Sequence, residues 1–255
     1  MAAASLPSVL PAQQAVQISS KPNSEGSNVV ARVALMQASQ LFVHMTQEDC
    51  VRIAAYARGK SFARGEYLLM QGQPLRSLFL LRSGSIKVTQ LSPSGNEVIL
   101  WMYGVGSVVG VLTEPTSCCY TSSAKAMEQS TALFWEYATL QKLMVEFPQV
   151  RRNISQILVE RLNELEERFR EVATENVARR LSLALLRLLK HIGKDVKGGV
   201  EVSLSREELA QMTGTTLFTI SRILSKWGRE DLIVPRRESV LVRDPGKLEI
   251  LSESI

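Results

Sequence analysis

PQVRRNISQILVERLNELEERFREV, residues 148–172, decides how the rest of the chain is read. Leu158, Leu162, Leu165, Phe169 and Val172 recur at spacings of four, three, four and three, the apolar seam of a two-stranded coiled coil. Pro148 suits the first turn of a helix, where its missing N–H needs no partner. Glu164 precedes Arg168, and Glu166 precedes Arg170, each by four residues in the favourable acid-first order. One amphipathic helix packed on its own domain would show the same periodicity. Position argues for more, because the stretch separates two segments of different character. The expectation is a dimerisation helix over 148–173 that also joins two domains.

Upstream, residues 1–30 are rich in Ala, Ser, Pro, Gln and Asn without helical or strand period, the composition of a mobile tail. Thr46 with Asp49 resembles a capping box before a short helix. Over 60–137, the segments YLLM, SLFLLRSG, SIKVTQL, NEVILWMYG, SVVGVL and TALFWEY are short and apolar or β-branched, with glycines between them. That pattern predicts an antiparallel roll or barrel, with SPSGN as a hairpin turn around Gly95. A sensor-like roll domain is therefore expected over 31–147.

Downstream, the domain 174–255 opens on a second amphipathic helix through Val177, Leu181, Leu185 and Leu188, after a hinge near 174–176. KDVKGG, residues 194–199, reads as an exposed loop. Ser205 with Glu208 forms a capping box for a short helix, and Gly214 supplies a tight turn. Thr215 or Thr216 then caps a second helix, whose buried stripe is Ile220, Ile223 or Leu224, and Trp227. Its opposite face carries Leu217, Phe218, Ser221, Arg222 and Ser225. LIVPRRESVLV follows as two strands around a basic turn. An αα-hairpin in a helical bundle would explain the helices but not the added wing. The fold class is α+β.

Composition narrows the chemistry. The net charge of +5 permits a nucleic-acid partner without requiring one. Cys50, Cys118, Cys119, His44 and His191 have no metal-site spacing, so no metal and no cofactor is expected. No run reaches the roughly 20 apolar residues of a membrane span, and the N-terminus lacks the basic lead of a secretory signal, so a cytoplasmic location is expected. Paired carboxylates, nucleophile–base pairs and P-loops are missing, which argues against an enzyme.

From about Leu41 to Val242 the chain resembles the Crp/Fnr family of transcription regulators. RSGSIKVTQLSPSGNEVILWMYGVGSVVG is similar to that family's cyclic-nucleotide-binding-like roll, and LSREELAQMTGTTLFTISRIL to its DNA-reading unit. The resemblance implies a homodimer with a winged helix-turn-helix that binds double-stranded DNA, works with RNA polymerase, and answers to a small-molecule effector in the roll. It places Ser205, Arg206, Thr215, Thr216 and Thr219 against phosphate, and Arg222 on a guanine edge. Ser221 lies on the same face, and Arg236 or Arg237 would touch the backbone from the wing.

Two departures qualify the resemblance. The family's base-reading glutamate is replaced by Phe218, preceded by Leu217. These could contact a thymine methyl or pack beneath the wing. In the effector cassette, GVLTEPTSCCYTSS, Val111 follows Gly110 where the ribose-binding glutamate belongs, and Tyr120 or Thr121 replaces the phosphate-binding arginine. Glu114 is displaced and Lys125 is the nearest cation. Gly110, Val111, Leu112, Tyr120 and Thr121 would thus line a collapsed pocket or one for an uncharged effector, and cyclic AMP held in the usual way is not expected. Cys118–Cys119 reads as redox-sensing or simply as small packing residues. A regulatory subunit acting on a protein through the roll is the alternative function.

Overall fold

The computed structural model describes residues 25–110 and 119–253. It opens with helix α1 (Glu25–Gln37), a 3-10 turn (Gln40–Phe42) and α2 (Gln47–Ala54). Helix α1 therefore begins inside the stretch expected to be tail, and residues 1–24 lie outside the described residues. Thr46 caps α2 by accepting the Asp49 N–H at 3.1 Å.

Eight strands follow: β1 (Arg58–Phe62), β2 (Tyr67–Leu69), β3 (Ser77–Ser83), β4 (Ile86–Leu91), β5 (Glu97–Tyr103), β6 (Val108–Gly110), β7 (Ser123–Ala126) and β8 (Ser130–Glu136). They pair antiparallel in two sheets, ordered β1-β8-β3-β6 and β2-β7-β4-β5, which face one another as the expected roll. Phe62, Phe79, Leu81, Ile86, Val109 and Ala126 fill the space between them. The hairpin joining β4 to β5 turns at Gly95, whose φ is +83°. Strands β1 and β7 were not anticipated. RGKSF is a sheet edge with only Phe62 buried, and SAKA sends just two alanines inward, so neither carries an apolar run.

Helix α3 (Tyr137–Glu146) leads into α4 (Pro148–Thr174), whose Val150, Ile154 and Ile157 are buried against α1, α2 and the outer face of the roll. Asn153 Nδ2 donates to the Leu41 and Val43 carbonyls, both at 2.9 Å, and so ties the entry helices to α4. At the expected hinge, Glu175 is extended and Asn176 caps α5 (Val177–Ile192) by accepting the Arg179 N–H at 3.0 Å.

The C-terminal unit continues through β9 (Lys194–Val196), β10 (Gly199–Val202), α6 (Arg206–Thr213), α7 (Leu217–Arg229), β11 (Ile233–Pro235), β12 (Val240–Val242) and α8 (Pro245–Glu253). Residues 194–199 are not the loop expected. Lys194–Val196 pairs with β10, so the wing is part of a four-stranded sheet, β11-β12-β10-β9. The added strand is short and wholly exposed, which is why no apolar pattern betrays it.

The two units share a core. Ile99 and Met102 of β5 pack with Leu181, Leu185, Leu209, Ile220, Leu224 and Trp227 of the C-terminal helices. At the end of β5 the two backbones nearly touch: a Cβ on Gly104 would lie 2.0 Å from the His191 carbonyl oxygen. Glu171 of α4, 4 % exposed, receives both Arg187 guanidinium nitrogens of α5 at 2.6 and 2.8 Å. A buried bidentate pair is costly to break from one side, because the partner charge stays desolvated. Glu171→Ala is expected to lower unfolding stability by about 3 kcal/mol, measured by urea denaturation. The Glu171→Ala/Arg187→Ala double variant should lose less than the sum of the two single changes.

Candidate nucleic-acid interface

Helices α6 and α7 form the reading unit by local rules. The Ser205 hydroxyl accepts the Glu208 N–H at 3.2 Å while the Glu208 carboxylate accepts the Ser205 N–H at 3.0 Å, a complete capping box. Gly214 ends α6 at φ +62°, ψ 46°, the left-handed region that admits glycine without a Cβ penalty. Thr216 then caps α7 by accepting the Thr219 N–H at 3.2 Å. Ile220, Leu224 and Trp227 are buried, so the opposite face of α7 is turned outward by helical period alone.

That outward face carries Leu217 and Phe218, 52 % and 76 % exposed, with Arg222 exposed beside them. Neither apolar side chain is tucked beneath the wing. Arg222 makes no hydrogen bond or ion pair among the described residues. The other expected contacts are partly engaged within the fold. The Ser205 hydroxyl serves the cap, and Thr216 and Thr219 hydroxyls lie 3.0 Å apart. Arg206 reaches the Ser221 hydroxyl at 3.4 Å, linking the start of α6 to α7, and its Nε is buried without a partner among the described residues. Thr215 is half-buried in the turn.

The wing separates its two arginines. Arg236 pairs with Glu201 of β10 at 2.5 Å, and Ser239 donates to the same carboxylate at 2.7 Å. These contacts hold the Glu201 carboxyl below the usual carboxylate range, the Ser239 hydrogen bond contributing most. Arg237 is exposed and makes no ion pair among the described residues. Sequence alone could not divide them, because Glu201 lies 35 residues away.

Contacts to the roll set the attitude of the unit. Lys87 of β4, half-buried under the head, bonds the Glu208 carboxylate at 3.1 Å, and Arg64 reaches Glu238 at the wing tip at 3.4 Å. Neither link was foreseen, and nothing local in the sequence marks residues so far apart.

In the roll, Gly110 ends β6, while Val111, Leu112, Glu114 and Cys118 lie outside the described residues. The Tyr120 ring packs on the roll core. Its hydroxyl accepts the Arg76 and Ser77 N–H groups at 3.0 and 3.1 Å. Thr121 is exposed and offers its carbonyl to Gln90. Lys125 alternates with buried Ala124 and Ala126, so it points out of the roll, its Nζ 5.1 Å from the Tyr67 ring centre. On α4, Leu162, Leu165, Phe169 and Val172 are 41–77 % exposed and form one stripe, whereas Leu158 leans into the N-terminal core.

Two family models match this architecture: the cyclic nucleotide-binding domain over residues 59–147 and the Crp-like helix-turn-helix domain over residues 179–251. The chain is 25 % identical to a CRP-like cAMP-activated global transcriptional regulator of Mycobacterium tuberculosis, over 73 % of this chain and 84 % of that one. It is 26 % identical to the cyclic AMP receptor protein of Thermus thermophilus, over 84 % and 97 % of the respective chains. The structure of FixK2 from Bradyrhizobium japonicum superposes with a TM-score of 0.67 at 20 % identity, covering 76 % of this chain and 96 % of that one.

Proposed function

This chain belongs to the Crp/Fnr family of transcription regulators, and we propose that it works as a homodimer whose two heads read a two-fold-related DNA site without needing cyclic AMP. The observation that carries this reading is the α7 face: Leu217, Phe218 and Arg222 project together from a helix whose other face is sealed into the head. Arg222 has the reach for bidentate contact with a guanine, and Phe218 offers an apolar surface to a thymine methyl. Arg237 and the first N–H groups of α7 supply sequence-independent attraction to phosphate. The protein acts by binding, with RNA polymerase as the downstream partner implied by its family.

The exposed α4 stripe supports the dimer. Four large apolar side chains in heptad spacing stand in solvent on a single chain, and a second copy covers them by the same geometry. Leu162→Glu with Phe169→Glu should give monomers in sedimentation equilibrium that lose specific DNA binding. Dimers that survive the change would mean another surface pairs the chains. The two half-sites are expected about one helical turn, roughly 34 Å, apart.

Fluorescence anisotropy with half-site variants tests the reading face. Arg222→Ala should cost roughly 1–3 kcal/mol and relax selection at one guanine position. Arg237→Ala should weaken all duplexes alike and reduce the salt slope by about one ion. Identical behaviour of the two variants across the half-site set would refute the assignment.

Charge argues against the usual cyclic nucleotide. Tyr120 or Thr121 stands where the phosphate-binding arginine is expected, Lys125 points outward, and residues 111–118 contain no Arg or Lys. A buried phosphodiester would stand uncompensated. Calorimetric titration with cyclic AMP and cyclic GMP should show no binding in the micromolar range, with DNA affinity unchanged. Micromolar binding abolished by Lys125→Ala would overturn this.

A further inference from the structure

Where β5 and the turn after it meet α4 and the end of α5, the protein lines an open cavity of about 620 Å³, on the far side of Tyr103 from the roll core. Its size lies in the range of small-ligand sites, roughly 300–1,000 Å³. Its walls are unusual in holding three guanidiniums. Arg161 donates to the Val108 carbonyl at 2.6 Å and lies 4.9 Å from the Tyr103 ring centre. Arg168 donates to the Leu100 carbonyl and lies 5.5 Å from the Trp101 ring centre. The two rings stack at 6.3 Å with an interplanar angle of 17°, so strand and helix present matched layers of aromatic and cation.

Charge in this cavity is unevenly matched. Arg187 is satisfied by Glu171. Arg161 and Arg168 are bound only through neutral carbonyls and ring faces, and neither forms an ion pair among the described residues. Glu164 faces both beyond ion-pair distance, and Glu160 keeps its charge while accepting hydrogen bonds from the Gln40 and Gln156 amides, so the four cations of the wall outnumber the three carboxylates, Glu160, Glu164 and Glu171, by one. Lys190 stands at the rim with no partner among the described residues. A guanidinium has five N–H donors in a fixed fork, and one carbonyl apiece leaves most of that capacity unused. Tyr103 Oη is buried on the same wall and makes no hydrogen bond among the described residues, and burial pushes its pKa up to about 12, so it stays a neutral donor. Burial likewise draws both arginines below the ordinary guanidinium value, against the opposing pull of Glu164.

We propose that this junction is a binding site for a small organic polyanion, whose carboxylate or phosphate oxygens are taken by Arg161 and Arg168 with Lys190 closing the rim. A phosphate oxyanion and a carboxylate both fit a guanidinium fork. The ligand would touch α4, α5 and the β5–β6 turn at once. The site stands independently of the DNA-binding reading, and its test contains no DNA.

Full-length protein is titrated calorimetrically with citrate and, separately, with inorganic pyrophosphate at constant ionic strength. Saturable binding of either at one site per chain, with Kd below about 1 mM, is expected. A response to citrate alone assigns a polycarboxylate, and a response to pyrophosphate alone assigns a phosphate ester. Arg168→Gln should abolish the binding, and Lys190→Glu, an exposed change that leaves the walls intact, should weaken it at least about tenfold. Silence in both titrations overturns the proposal. So does binding that survives both variants, or that is lost instead in Arg222→Ala, which would place the anion at the reading helix.

Discussion

The bend between α4 and α5 is the constraint on which the rest of the molecule depends. Only Glu175 and Asn176 separate the two helices, and their angle is held by side chains more than by the turn itself. The Glu171–Arg187 pair fixes it from the inside. Arg180 fixes it from the other side, donating to the Glu175 carbonyl at 3.0 Å and to the Thr213 carbonyl at the end of α6, also at 3.0 Å. One arginine therefore joins the bend to the reading unit. Charged groups used in this way contribute little net stability but strongly penalise alternative arrangements, since any other angle strands a desolvated charge. The direction in which α7 faces is set there.

A second set of contacts carries the same information to the roll. Ile99 and Met102 give β5 a place in the head's own core, while Lys87–Glu208 and Arg64–Glu238 hold α6 and the wing. Glu208 is shared between the capping box and Lys87, so the cap that starts the reading unit is also its attachment to the sensor. The Lys87–Glu208 contact thus joins the roll directly to the start of the helix-turn-helix. The cationic junction cavity lies on the same boundary, against α4 and α5.

What could be read from the sequence followed from period and from local caps. The α4 helix, the Ser205–Glu208 box, Gly214 and the buried stripe of α7 are all decided within a few residues, and physics at that range is written in order along the chain. Strands β1, β7 and β9 escaped because an edge, a pair of alanines and three exposed polar residues carry no alternating signal. The site divided in the same way. That Leu217, Phe218 and Arg222 share one face follows from helical period, but whether the apolar pair stands in solvent does not. That Arg236 is paired and Arg237 is not was closed to sequence reasoning, because Glu201 lies on another strand. The junction cavity was invisible for the same reason: its charges come from α4 and α5, its aromatic rings from β5.

Position 104 gives the docked posture a marker of its own. With the His191 carbonyl 2.0 Å from where a Cβ would stand, the approach of β5 to the end of α5 is possible only because one atom is missing. Any chain of this design with a side chain at that point must hold its head farther from its sensor, whatever else it keeps. A single methyl group at this point would therefore be enough to part the head from the roll.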